Sequence, residues 1–376
     1  MDLTGELGLS EEQRALRDAV RTLLTRQQRD SGPGQQADDT GPSPWQRLCT
    51  EVGVAGLAVP ECYGGAGAGP VETHVVAEEL GRHLVPSPLV GSVVLAAQAV
   101  LASGDSGACA RLLPAVADGS AVAALAWTTA AGHWDPREVA GRAVRADTPG
   151  TPDGGWAVSG TAHYVLDGDR ADVLLVAADT PDGTGLFEVD PRGGGVTRTP
   201  VTSMDPALRL AVVALDEAPA RRLGGPASAA LARARDLACI ALSAEQVGAA
   251  QQALAQTASY TTTRVQFGRP IASFQALAHR MADLHVLVES ARSLSYAAAA
   301  AAAEAVPDLG LRAAAAKVYC SEALTQVTAE MIQLHGAIGI TWEHDAHRFF
   351  KRAHSTAQLF GQPAEHLARL AAELVG

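Results

Sequence analysis

Apolar positions recur at helical spacing from Leu9 to about Gly119. They break into short alternating runs through the middle of the chain and return to helical spacing from Ala227 onward. In the first third, Ser10 and Gln13 form a capping-box start for a helix through Arg26. The Gly, Pro and Asp content of residues 31–43 predicts a loop, and helices are predicted over 45–52 and 71–82. Between those helices lies GLAVPECYGGAGAGP. Its Gly64, Gly65 and Gly67 could be read as a phosphate cradle. No Lys-Ser/Thr closes the run and no strand–turn–helix unit surrounds it, so a connecting loop is the better reading.

The middle runs, 121–127, 156–165, 172–178, 185–189 and 210–215, are separated by turns such as TPDGG and TPDGTG. No helical pattern lies between them, which predicts an antiparallel sheet or small barrel and not βαβ units. In the last third, long helices are predicted over 228–264, 273–305 and 311–335, with shorter ones near 343–359 and 363–374. The alanine run 297–303 suits close helix contact. These helices read as a bundle. The expected division is a helical domain 1–119, a β domain 120–222 and a bundle 223–376, an α+β chain.

Composition narrows the function. With 29 Lys+Arg against 41 Asp+Glu, the 376-residue chain carries a formal charge of −12 and no basic run. It is a poor match for nucleic acid or an anionic membrane surface. Aromatics are only 4%, so the cores must be aliphatic. No apolar stretch is long enough for a transmembrane helix. The acidic, polar opening MDLTGELGLSEEQ is unlike a signal or transit peptide. Five cysteines without CxxC spacing suit a reducing cytoplasm and argue against a zinc site. His344, His347 and His354 could share a helix face, but their spacing matches no standard zinc motif. Ser243 and Ser273 lack the setting of a nucleophile.

Two segments are more specific. RVQFGRPIASFQ, from Arg264 to Gln275, interrupts two long helices. QLHGAIGITWE, from Gln333 to Glu343, makes a second glycine-containing break about 70 residues later. With ECYGGAG followed by VAEELGR, and with the strand-rich middle, these segments resemble the acyl-CoA dehydrogenase family along the whole chain, and its actinobacterial branch most. The resemblance implies a helical domain, a β-barrel and a four-helix bundle, with FAD held between β domain and bundle and partly by a second subunit. It implies that Arg264 reaches the FAD pyrophosphate across a dimer, that Phe267 lies by the adenine end, and that Gln333 and Gly336 line the dinucleotide. Gln275, Thr341 and Glu343 complete the bundle-side cofactor positions. In the β domain, WTTAAG replaces the family's Thr-Glu-Pro segment, keeping the hydroxyls of Thr128 and Thr129. YVLD replaces Trp-Ile-Thr-Asn, leaving Tyr164 to stack on the flavin. A guanidinium suits phosphate oxygens, and glycine lets a backbone N–H approach them. Alternatively, Arg264 and the glycines simply end helices, and Tyr164 packs on a neighbouring strand.

The implied reaction is α,β-dehydrogenation of an acyl thioester, on CoA or on a carrier protein. It needs a carboxylate base, donors for the enolate oxygen and a hydride acceptor. The family's base positions fall at Phe360 and at Ala238, and neither can accept a proton. The nearest carboxylate on the same helix toward the Arg264 motif is Glu245, seven residues on, about two turns and about 10 Å along one face. Its apolar neighbours predict burial and a raised pKa. It reads as the base, or as a buried carboxylate satisfied by Arg280 or Arg292. Glu343 and Asp345 are weaker candidates at a helix start. A half-site subunit whose partner supplies the base, or a flavin monooxygenase of the same fold, are the alternatives. No GxGxxG follows a strand, so electrons are expected to leave through a soluble electron-transfer flavoprotein and not NAD. A homodimer or homotetramer is expected, with a related subunit as an alternative.

Overall fold

A computed structural model describes residues 8–31, 43–146 and 155–375. The helix α1 (Glu11–Ser31) starts at the expected box. Gln13 N–H donates to Ser10 Oγ at 3.1 Å, and Ser10 N–H to Gln13 Oε1 at 3.0 Å. The helices α2 (Pro44–Val52) and α3 (Pro70–Arg82) follow. A π-helical segment, Leu89–Ala96, then runs into α4 (Ala97–Ala102), and α5 (Ser106–Ala117) is capped by Asp105. The TPDGG turn and most of the 31–43 loop lie outside the described residues.

The strands are β1 (Ala123–Ala126), β2 (Gly141–Ala146), β3 (Gly155–Leu166), β4 (Val173–Thr180), β5 (Gly183–Val189), β6 (Val196–Val201) and β7 (Leu210–Pro226). Antiparallel pairs β2–β3, β3–β7, β7–β5 and β5–β4 meet a β2–β4 pair, which closes the ring. The barrel is therefore not wholly antiparallel. β3 runs back between β2 and β4, so those two point the same way, and β1 also lies parallel to β4. Two strands escape the pattern reading. β6 pairs only with β7 and is mostly exposed, and in β2 only Gly141 and Ala143 are buried. Trp156, Val158, Leu174, Phe187 and Val213 fill the interior.

The last third holds α6 (Ser228–Thr263), a short β8–β9 hairpin (Val265–Gln266, Arg269–Pro270), α7 (Gln275–Ala303), α8 (Leu309–His335), α9 (Ala346–Gln358) and α10 (Pro363–Val375). Packing groups the chain into two compact units. One combines α1, Pro70–Pro86 and the chain from Cys239 onward; the other holds Cys49–Gly69 and Ser87–Ala238. In the first unit Leu84, Ala249, Leu284, Leu324, Met331 and Phe349 share a core. There α3 crosses α6 at backbone contact. A Cβ on Gly81 would lie 2.0 Å from the Glu245 carbonyl oxygen, and one on Gly248 would lie 1.8 Å from that of Glu78. In the second unit Gly65 closes the ECYGGAG loop, where a Cβ would meet the Val59 carbonyl oxygen at 2.0 Å.

Candidate functional site

The bundle-side residues gather at helix ends on the surface of the first unit. Past Arg264, Val265 pairs with Pro270 and Gln266 with Arg269 across a two-residue turn, Phe267-Gly268, in which φ is +53° and +77°. A hairpin turn with both φ positive is the type I′ geometry. Glycine takes it freely, but a phenylalanine there is strained. At the tip of this turn Phe267 is 92% exposed. Arg264 is exposed, and its guanidinium forms no ion pair among the described residues. Gln275 is exposed at the start of α7.

The second break lies at the end of α8. Gln333 and Gly336 are exposed, and Gly336 takes φ +63° and ψ −142°, a conformation open to glycine. A Cβ there would project into open space. Thr341 turns its hydroxyl onto the Ile338 carbonyl at 2.9 Å, so that hydroxyl is committed within the turn. Glu343 is exposed beside Trp342, which is 78% exposed and lies 4.7 Å beneath Lys351 Nζ. An outward guanidinium, a left-handed glycine with free space above it and projecting aromatics suit an anionic, aromatic ligand such as a dinucleotide.

The β-side residues lie in the second unit and are brought together by one backbone–backbone and one side-chain–backbone hydrogen bond. His163 N–H donates to the Thr128 carbonyl at 2.8 Å, and Thr128 Oγ donates to the His163 carbonyl at 2.6 Å. The Thr128 hydroxyl is thus buried and internally spent, contrary to its expected exposure to ligand. Thr129 is half-buried. Tyr164 follows at a bulge in β3, where the pairing with β7 skips between Ala162 and Val165. Its φ is +55°, its ring is 39% exposed, and its hydroxyl donates to the Ala130 carbonyl at 3.2 Å.

The resemblance places a base at the positions of Ala238 and Phe360. Ala238 and Phe360 are both fully buried. Phe360 sits at φ +59°, and its carbonyl accepts from His366 Nε2 at 3.0 Å. The turn behind it is held by Lys317, whose buried Nζ donates to the Thr356 and Ala357 carbonyls at 3.3 and 3.0 Å and to Ser321 Oγ at 3.0 Å. Burial brings that ammonium down to about 8. Glu245 departs from expectation. It is half-buried, although α3 covers the backbone of this turn at Gly81. The two expected arginines have other carboxylates beside them. Arg280 bonds Glu330 at 2.5 Å, and Arg292 faces Glu78 and Glu289. The buried carboxylates of this unit are Glu78 and Glu79, both on α3. The VAEELGR pattern could have shown them, because its two glutamates fall among apolar helical positions.

Family models for the acyl-CoA dehydrogenase N-terminal and C-terminal domains match residues 10–120 and 229–375. The acyl-CoA dehydrogenase IpdE2 of Mycobacterium tuberculosis is 40% identical over 97% of this chain and 98% of its own. The chain belongs to the acyl-CoA dehydrogenase family. It is an FAD-dependent flavin oxidoreductase with the family's helical, β-barrel and helical-bundle arrangement. A variant of the Tcur3481–Tcur3483 steroid ACAD matches with a TM-score of 0.84 and 33% identity, over 97% of this chain and 98% of that one. The ChsE4–ChsE5 complex from Mycobacterium tuberculosis matches with a TM-score of 0.86 and 28% identity, over 98% of each chain. No helix among the described residues is long and apolar enough to cross a membrane, and no group of His, Cys, Asp or Glu there could hold a metal ion.

Proposed function

We propose that this chain is one subunit of a two-chain acyl-CoA dehydrogenase that forms an α,β double bond in an acyl thioester, the α-proton going to a base on the partner subunit. The observation that carries this reading is the pair of buried apolar residues, Phe360 and Ala238, at both base positions. A carboxylate at either would be desolvated, and the buried Lys317 ammonium behind Phe360 is already spent on two backbone carbonyls and Ser321. The paired names of two structural relatives add support. FAD, when bound, supplies the acceptor for the β-hydrogen and its electron pair. This chain's part is to bind and orient. Arg264 and the Gly336 backbone meet a pyrophosphate, Phe267, Gln275, Gln333 and Glu343 border the dinucleotide, and Tyr164 and Thr129 offer a face to the ring system. The steroid ACAD at 33% identity makes a ring-bearing acyl thioester the first substrate class to test. Electrons leave to a soluble electron-transfer flavoprotein. The cysteines at 49, 62, 109, 239 and 320 form no disulfide, which supports a cytoplasmic setting.

Flavin absorbance of the chain purified alone and co-expressed with a related subunit tests this. The expected result is a colourless lone chain and a yellow complex that an acyl thioester bleaches anaerobically. A lone chain that holds stoichiometric flavin and is bleached by substrate overturns it. In that case Glu245 becomes the base to examine. Glu245→Gln would then abolish bleaching, a loss on the order of a hundredfold or more, while flavin content stays unchanged.

A further inference from the structure

We propose that Tyr260 and His335 form a positioning device that locks the Arg264 hairpin to the Gly336 turn. The inference rests on the reading above, in which both segments face FAD.

Tyr260 stands one helical turn before Arg264, whose N–H donates to the Tyr260 carbonyl at 2.9 Å. The Tyr260 ring lies stacked on the His335 imidazole, with centroids 4.3 Å apart and planes at 24°. Its hydroxyl donates to the His335 carbonyl at 3.4 Å. One side chain at the end of α6 therefore holds both the ring and the backbone of the residue preceding Gly336. His335 is itself fixed. Its Nδ1–H donates to the Met331 carbonyl at 2.7 Å, which sets the tautomer and leaves Nε2 buried without a hydrogen-bond partner. A second imidazole, His344, lies tilted 4.4 Å from His335 and is oriented by the Ala346 N–H, which donates to its Nδ1 at 3.0 Å. The column joins the ends of α6 and α8 to the start of α9. Those ends carry Arg264, Gly336 and Trp342, and no side-chain hydrogen bond joins Arg264 to the Gly336 turn. Two chain breaks separated by a whole helical hairpin thus keep one spacing, as a ligand spanning both requires.

The test uses the full chain with its flavin-retaining partner and two readouts. FAD affinity is measured by titrating the apoprotein and following flavin fluorescence. Hydrogen exchange of residues 264–270 and 336–341 is measured on the apoprotein. Tyr260→Leu is expected to speed exchange in both segments and to weaken FAD binding roughly three- to tenfold, the worth of an aromatic pair. Tyr260→Phe keeps the stack and should restore affinity to within about twofold. If Tyr260→Leu does not fold, His335→Leu with His335→Phe carries the same comparison. Exchange that rises only beside the substituted residue, unchanged affinity in Tyr260→Leu, or a Phe variant as weak as Leu each overturns the device. Arg264→Ala separates the two ideas. If it leaves affinity untouched, the reading of the site has failed, and the exchange arm still judges the stack.

Discussion

The Glu78 carboxylate of α3 and the Arg292 guanidinium of α7 meet 3.8 Å apart, with only 3% and 4% of their side chains exposed. The contact is too long for a hydrogen bond, and Glu78 Oε2 and Arg292 Nε and Nη1 have none. Burial pushes the Glu78 carboxyl up and the neighbouring Arg292 pulls it back down. Such a pair adds little net stability, but breaking it is costly. Arg292→Leu is expected to lose about 3–5 kcal/mol, and Glu78→Leu/Arg292→Leu much less than the two single losses together. Urea unfolding of the four-member cycle measures this, and additive losses would contradict it.

His74 ties α3 to α7 and α6 through Ser295 Oγ at 2.8 Å, which in turn meets Ser243 Oγ at 2.6 Å. Ser243 donates to the Ile240 carbonyl at 2.7 Å, so Ser295 donates to Ser243 and His74 Nε2–H donates to Ser295. Burial holds the imidazole neutral, down to about 3 from 6.5. Only the unfolded chain takes up that proton between those values. Stability is therefore lost as pH falls below about 6.5, and the group is silent above it. The gap between parent and His74→Gln should shrink by about 2 kcal/mol from pH 7.5 to pH 5. An unchanged gap in urea midpoints would count against it.

Gly81→Ala places a methyl 2.0 Å from a backbone carbonyl that cannot swing away. The helices α3 and α6 must separate, at a cost of about 3 kcal/mol or more. Thermal unfolding measures the loss; a midpoint equal to the parent's would show that the crossing yields freely.

Lys317 has the same pH sign as His74, in a more alkaline window. Its folded value near 8 lies below the ordinary 10.5, so the unfolded chain holds the extra proton between them and stability rises with pH across that window. Lys317→Met should remove this rise and cost about 1–3 kcal/mol near pH 9 by leaving the Thr356 and Ala357 carbonyls unpaired. Parallel pH dependences of the two proteins would refute it.

Arg264→Ala is expected to release flavin on dialysis, with Arg264→Lys intermediate, because a point charge replaces a two-pronged donor. Raised salt should widen the gap between Arg264→Lys and the parent, because screening removes the point charge's contribution while the guanidinium keeps its directional hydrogen bonds. Equal flavin content after dialysis in all three would remove Arg264 from the cofactor surface.

Local signals were enough for much of this. The box at Ser10 and Gln13 is complete within four residues, and the bundle helices follow from periodicity, so α6 appears at Ser228–Thr263 against an expected 228–264. The same locality exposed the two glycine breaks and the absence of a carboxylate at Phe360 and Ala238. Features that depend on distant partners were not legible. Edge strand β6 has no interior face to mark it, and the parallel direction of β4 follows from how the ring closes. Glu245 has apolar neighbours in sequence, yet it is half-buried in the fold. Tyr260 and His335 lie 75 residues apart, and only the return of α8 along α6 makes them a stack. Sequence alone determined most of the helices and the family, since each is written in residues close along the chain. The tertiary structure decided which groups are buried and which rings and charges meet, because burial and contact belong to helices and strands packed from distant parts of the chain.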